Sequence, residues 1–385
     1  MVVVVVVALF GCGSKPEPEV PFEQRVVDPA RAHLAFPSDR VKDRAGWTTD
    51  LTTAFERDGI PRTNGNVCAV VATIEQESGY DPDPAVPGIG ALVDGWIAEK
   101  QEEMGAVGGW VFEKGLRGVL DTRPTGADMS FYERFTAAKT ERDLDLAYRG
   151  FLDHYRDQVP GARVAEGAAA IVGIDPDERW NPITTAGCMQ VKVSEAVQHA
   201  RADRMGASGV RDALYTRAGC IHFGAARLLD WEAGYTDPVH RFADFNAGRF
   251  ASRNTAFQQR VSDLSGVPLA LDGDLLRYAP SGRPATDASH TLAALATLTA
   301  AGVLDIPEAR LRADLTREKT LGFEGTRTWQ AVGEAWSAKT GKAADYARMP
   351  DVTLASVKLS GKKTTAWFAE SVKKRYKRCI SRLKG

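Results

Sequence analysis

Histidine is scarce in this 385-residue chain and lies scattered. His33, His154, His199, His222, His240 and His290 form no His-Glu-x-x-His pair, so their spacing lends no support to metal-dependent hydrolysis, and no metal ligand set is assigned. Cysteine is rarer still: the five present include no Cys-x-x-Cys and no Cys/His cluster of zinc spacing. An excess of charge is also missing. Lys plus Arg number 49 against 50 Asp plus Glu, a formal net charge of −1, which excludes a nucleic-acid binder built on bulk charge. No internal repeat is evident, and the glycine-rich turn from Gly105 to Trp110 lacks the rest of a Walker phosphate loop. Apolar residues, by contrast, are plentiful at 44%, enough for one large domain or two ordinary ones. Where they recur they do so at helical spacing, which predicts a mainly α fold.

One stretch carries chemistry. From Val67 to Ile74 the apolar positions Val67, Val70, Val71 and Ile74 follow the three-and-four spacing of an amphipathic helix, which Gly79 and Pro82 should end. At 100° per residue Glu77 falls above Val70 on the apolar stripe, whereas Glu75 lies roughly 160° away on the polar side. A carboxylate facing apolar surroundings either finds a partner or has its pKa raised, and a raised pKa lets it donate a proton near neutrality. The alternative is a helix that simply ends in charge, with Glu77 turned into water.

The N-terminus is Met1, six valines, Ala8, Leu9, Phe10, Gly11 and Cys12, followed by a Pro-rich polar tether. This apolar run is too short to span a membrane and suits a secretion signal. Leu9-Phe10-Gly11-Cys12 resembles the lipobox of bacterial lipoproteins, which implies removal of residues 1–11 and lipidation of Cys12. No Lys or Arg precedes the valines. Gly13 after Cys12 gives no retention signal of the aspartate kind, so the expected location is the outer membrane, facing the periplasm. Cys68, Cys188, Cys220 and Cys379 remain, an even number that permits disulfides in an exported chain; four buried thiols are the alternative.

Three short segments, in order, carry a second resemblance: Gln76-Glu77-Ser78-Gly79-Tyr80, Ala186-Gly187-Cys188-Met189-Gln190-Val191 and Phe245-Asn246-Ala247-Gly248. Together they resemble the catalytic core of soluble-type lytic transglycosylases, which share a lysozyme-like fold with goose-type lysozymes. Cys188 stands where Leu is usual and Phe245 where Tyr is usual. The resemblance covers roughly residues 60–265 and implies Glu77 as catalytic acid and base. It implies that Ser78, Met189, Gln190, Phe245 and Asn246 line the site for peptidoglycan glycan strands, with no cofactor. The chain as a whole also looks like an uncharacterised family of bacterial lipoproteins.

The expected organisation is a signal peptide over 1–11, an irregular tether over 12–45, a lysozyme-like domain over 46–265 and a helical C-terminal extension over 266–385. Residues 83–185 read as a helical insertion, since so long a structureless run is improbable in a compact domain. Within it Thr140 should cap a helix, with Asp143 near its third position, that buries Leu144, Tyr148, Phe151, Leu152 and Tyr155. Trp110 and Tyr132 read as core residues before sugar-stacking ones. Further on, one helix should start at Ser194 and run to Met205, a longer one from Val210 to Asp230, and another from Val239 to Phe245. The tail from Lys358 to Lys384 holds many Lys and Arg against the single acid Glu370, suited to a solvated face or to anionic lipid and polymer.

The implied reaction uses one carboxyl group twice: it protonates the leaving oxygen, then takes the proton of the sugar's 6-hydroxyl, leaving a 1,6-anhydro-muramic end. Two rivals differ in class. In a goose-lysozyme-like hydrolase Asp81, Asp83 or Asp244 would activate water. In a non-catalytic envelope lipoprotein the same site would only bind peptidoglycan.

Overall fold

Polar caps and left-handed glycines cut the chain into fourteen helices among the described residues, which in this computed structural model are 19–103, 118, 120–158, 181–278, 284–354 and 363–385. The fold is mainly α, with two short antiparallel pairs: β1 (Thr185–Ala186) with β2 (Val191–Lys192), and β3 (Thr353–Leu354) with β4 (Lys363–Thr364). Cys12 and Trp110 lie outside the described residues, as does the side chain of Tyr155. Among the described residues no helix is long and apolar enough to cross a membrane.

Two apolar cores organise the chain. The first is built on α1 (Arg44–Arg57), where Trp47, Leu51 and Phe55 are buried, and on α2 (Asn64–Glu77), buried along Val67, Val70, Val71 and Ile74. Thr63 caps α2 by accepting from the Asn66 amide. Packed against the same core are α3 (Leu92–Glu103), α4 (Phe131–Ala137) and α5 (Glu141–Gln158) of the 83–185 segment. Thr140 and Asp143 form the expected reciprocal cap of α5, with the Asp143 amide 3.1 Å from the Thr140 hydroxyl and the Thr140 amide 3.2 Å from the Asp143 carboxylate. Tyr132 is half-buried and donates to Asp94.

This segment is clamped to the rest by a buried ionic network. Asp145 of α5 accepts from Arg211 at 3.1 Å and from Asn181 at 2.7 Å, and pairs with Arg149 at 3.0 Å. Arg211 belongs to α7 (Ala207–Leu214), and both it and Asp145 are closed off from solvent. Here the helix limits depart from the sequence pattern. The single helix expected over 210–230 is two, α7 and α8 (Arg217–Leu229), because Thr216 turns its hydroxyl onto the Gly219 amide and starts a new helix. The helix expected to begin at Ser194 is α6 (Val193–His199), and a short 3-10 turn follows it.

The second core gathers Phe257 and Val261 of α10 (Ala251–Ser265) with residues of α11 (His290–Ala300), α12 (Glu308–Leu315) and α13 (Arg327–Thr340). The expected C-terminal extension is therefore divided. Its middle builds this second core, whereas α14 (Thr365–Lys384) returns to the first, burying Phe368, Val372, Tyr376, Cys379 and Leu383 against α2 and α9 (Val239–Ala247). Cys379 of α14 is bonded to Cys68 of α2, and Cys188 to Cys220 of α8.

Candidate functional site

Helix α2 delivers both of its terminal glutamates, and their surroundings invert the helical-wheel expectation. Glu75, placed by periodicity on the polar side, has a side chain only 4% exposed, because α14 lies across that side. Its Oε1 is 2.8 Å from the Arg378 guanidinium, 3.5 Å from Arg40 and 3.8 Å from Arg375, and the Tyr80 hydroxyl donates to Oε2. Much of the basic tail is thus spent inside the fold: Lys373 pairs with Asp237, and Arg382 donates to the Leu34 and Ala35 carbonyls. Glu77, expected on the buried stripe, is half-buried instead. It closes the helix, and its charge acts on Arg227.

The chain leaves α2 sharply. Gly79 takes a left-handed φ of 63° with its amide bonded to the Ile74 carbonyl, and Tyr80 follows at a φ of 77°. A left-handed tyrosine costs on the order of 1 kcal/mol or more, offset here by burial of its ring against Phe36 and Trp47. Ser78 turns its hydroxyl back to the Ile74 carbonyl at 3.3 Å, steadying the helix end.

The second motif forms the turn between β1 and β2. A side chain at Gly187 would sit 2.3 Å from the Leu214 carbonyl oxygen, and its φ is 80°, so only glycine fits. Cys188, tied to Cys220, fastens the turn to α8. Met189 is fully buried against Gly224 of that helix and faces the core, not an open site. The amide of Gln190 donates to the buried Glu141 at 2.9 Å and to the Gly187 carbonyl at 3.1 Å, and it accepts from Thr185.

The third motif ends α9. Phe245 is buried, and its carbonyl accepts two bonds from Arg227, at 3.0 and 2.6 Å. Asn246 is half-buried, with its Oδ1 accepting from the Thr365 hydroxyl of α14 at 3.3 Å.

Arg227 is the group around which these pieces meet. It projects from the otherwise apolar face of α8, binds the Phe245 carbonyl, pairs with Glu195 of α6 and interacts with Glu77. Burial and the neighbouring Arg249 bring its pKa down to about 10, opposed by Glu77. Beside it a small cavity is lined by Val191, Glu195, Ala196, His199, Phe223 and Arg249. Lys192, exposed at the end of β2, adds positive charge nearby, with its pKa lowered by desolvation and then by Arg227. Sequence inspection passed over Arg227 and Glu195. Arg227 follows Cys220 and Phe223 at seven- and four-residue spacing, and a charge on that apolar stripe is the same signal that singled out Glu77.

The aspartates that could activate water are differently placed. Asp244 is buried, accepting from the Tyr235 hydroxyl and the Ser252 amide, both at 2.6 Å, and burial pushes its pKa up to about 6 against those bonds. Asp83 accepts weakly from the Arg142 amide, and Asp81 is exposed and caps the Asp83 amide. A second group of titratable side chains, Asp58, His199 and His222, adjoins the cavity through His199.

A mainly helical, doubly disulfide-bonded chain of two apolar cores, with a charged cluster buried at the end of α2, is the class that fold and site define. The chain belongs to the family described as "Protein of unknown function (DUF1615)", whose model matches residues 40–382 and so runs through both cores. It is similar to the "Uncharacterized protein YaiW" of Escherichia coli (strain K12), at 35% identity over 376 residues, 97% of this chain and 96% of that protein. No solved structure matches it.

Proposed function

We propose that this chain is an exported peptidoglycan lytic transglycosylase, in which Glu77 acts first as general acid and then as base. The observation that carries this is the convergence on Arg227. Its guanidinium holds the Phe245-Asn246 backbone, faces Glu77, and pairs with Glu195 on the helix that leaves the Gly187–Gln190 hairpin. The three segments that resemble the transglycosylase core thus share one neighbourhood.

In the proposed step Glu77 gives its proton to the glycosidic oxygen as the C1–O bond breaks, and the sugar's N-acetyl oxygen supports the cationic carbon. The 6-hydroxyl oxygen then bonds to C1 while the Glu77 carboxylate takes its proton, so no water is consumed and a 1,6-anhydro end forms. In this reading Asn246 positions the sugar and Ser78 steadies the helix end, whereas Met189 and Gln190 support the turn from within. The double disulfide pattern suits an oxidising compartment, in keeping with a lipoprotein anchored through Cys12 at the outer membrane.

Mass spectrometry of muropeptides after incubation of purified peptidoglycan tests the proposal: anhydro-muramic products from the wild type, and none from Glu77→Gln. Anhydro products that persist in that variant remove Glu77 from the role. One observation favours a second function, non-catalytic binding of peptidoglycan: the Gln190 amide and Met189 are both engaged inside the fold. Co-sedimentation with insoluble peptidoglycan, with no muropeptide released by the wild type, would select it. The buried, doubly bonded Asp244 is poorly placed for the water-activating role of a hydrolase.

A further inference from the structure

Three residues that look unrelated in sequence meet where the ends of α1 and α6 reach the middle of α8. Asp58 is the C-cap of α1, His199 is the last residue of α6, and His222 lies in α8, whose own C-cap is Asp230. The His222 Nδ1 is 3.1 Å from one Asp58 oxygen and the His199 Nε2 is 3.4 Å from the other, and the ligating atoms of all three lie within 4.8 Å of one another.

Two features distinguish this cluster from an ordinary histidine–aspartate pair. The His222 Nε2 is buried without a hydrogen-bond partner, its side chain being only 7% exposed, and Asp58 turns one carboxylate oxygen to each imidazole. Leaving a buried ring nitrogen unsatisfied is costly, so a group that binds the two imidazoles and the carboxylate together has a strong claim to the space. The spacing fits such a group: two ligands bound at about 2.0–2.1 Å in a tetrahedron are separated by about 3.3 Å.

We propose that Asp58, His199 and His222 form a binding site for a divalent transition-metal cation of the zinc class. His199 would ligate through Nε2, and its Nδ1 is turned toward Asp230 at 3.8 Å, the carboxylate–histidine arrangement that fixes the ring of a metal ligand. The C-terminal ends of α1 and α6 at Asp58 and His199 add partial negative charge, which favours a cation. His199 also lines the cavity beside Glu195, Arg227 and Arg249, so the fourth coordination position opens toward a space with cationic walls, suited to water or an anionic oxygen ligand. The site departs from the absence of metal expected from histidine spacing, since 141 residues separate Asp58 from His199 and only folding joins them. It does not depend on the proposed transglycosylase activity.

Isothermal titration of the chelator-treated full chain with zinc chloride at neutral pH tests it, together with metal analysis of the dialysed protein and the visible spectrum of the cobalt(II)-loaded form. One zinc per chain is expected, with the strong visible bands of tetrahedral cobalt. His222→Gln and Asp58→Asn should abolish binding, His199→Ala should do so from a partly exposed position, and Asp230→Asn should weaken it about 10- to 100-fold. Circular dichroism establishes that each variant is folded. Absence of stoichiometric zinc in the wild type, or unchanged uptake in folded His199→Ala, overturns the proposal.

Discussion

The Cys68–Cys379 bond joins the helix that carries Glu77 to the last helix of the chain, across a sequence separation of 311 residues. Replacing both cysteines with alanine leaves α14 held by its apolar face, by its ion pairs with Glu75 and Asp237, and by the bonds of Arg382 to the Leu34 and Ala35 carbonyls. In the chain-entropy account, closing so long a loop in the unfolded state contributes about 5–6 kcal/mol, and measured losses for native disulfides run at about 2–5 kcal/mol. The second bond, Cys188–Cys220, closes a separation of 32 and serves as an internal standard. Loop-closure entropy grows only logarithmically, so the longer bond should exceed the shorter by about 2 kcal/mol and not tenfold. Both cysteine pairs are closed off from solvent, so alanine leaves no buried hydroxyl and each variant loses a similar small volume. Chemical denaturation of Cys68→Ala/Cys379→Ala and of Cys188→Ala/Cys220→Ala, with thiol titration of the unfolded wild type, measures the difference. Four reactive thiols from Cys68, Cys188, Cys220 and Cys379 without reductant, or a first variant as stable as the wild type, would refute the reasoning.

Two further perturbations probe the frame of the site. Asp145→Ala removes the buried carboxylate that Arg211, Arg149 and Asn181 share, and should cost about 3–5 kcal/mol in urea unfolding; a loss below about 1 kcal/mol would mean the network is not a clamp. Asp244 has a folded pKa of about 6, above the ordinary carboxylate value of 3.8, so it binds a proton more tightly in the folded state. Its contribution is then fully present below the unfolded value and is lost as pH rises through about 6, on the order of 3 kcal/mol in all. Asp244→Asn should therefore gain stability relative to the wild type between pH 4 and 7, and parallel curves in denaturant titrations would count against it.

Local patterns in the chain foretold the helices whose signals are local. The α2 periodicity, the Thr140–Asp143 cap and the terminating Gly79 all involve residues within a few positions of each other, where backbone sterics and caps decide the outcome. Thr216 was equally local, and its capping hydroxyl inside an apparently continuous helix was the missed sign. The site was less legible. Periodicity assigns Glu75 to water and Glu77 to the core only if nothing else covers the helix, and α14, some 300 residues away, covers it with arginines of matching charge.

By itself, then, the sequence determined a mainly helical protein, the C-terminal end of α2 and the Thr140–Asp143 cap of α5. Tertiary structure alone decided which cysteines bond, which glutamate is sequestered, that Arg227 joins the three motif segments, and that Asp58, His199 and His222 meet. The physical reason is the range of the forces involved. Dihedral preference and capping act across a few residues, whereas burial, charge pairing and ligand geometry depend on which distant surfaces come to cover one another.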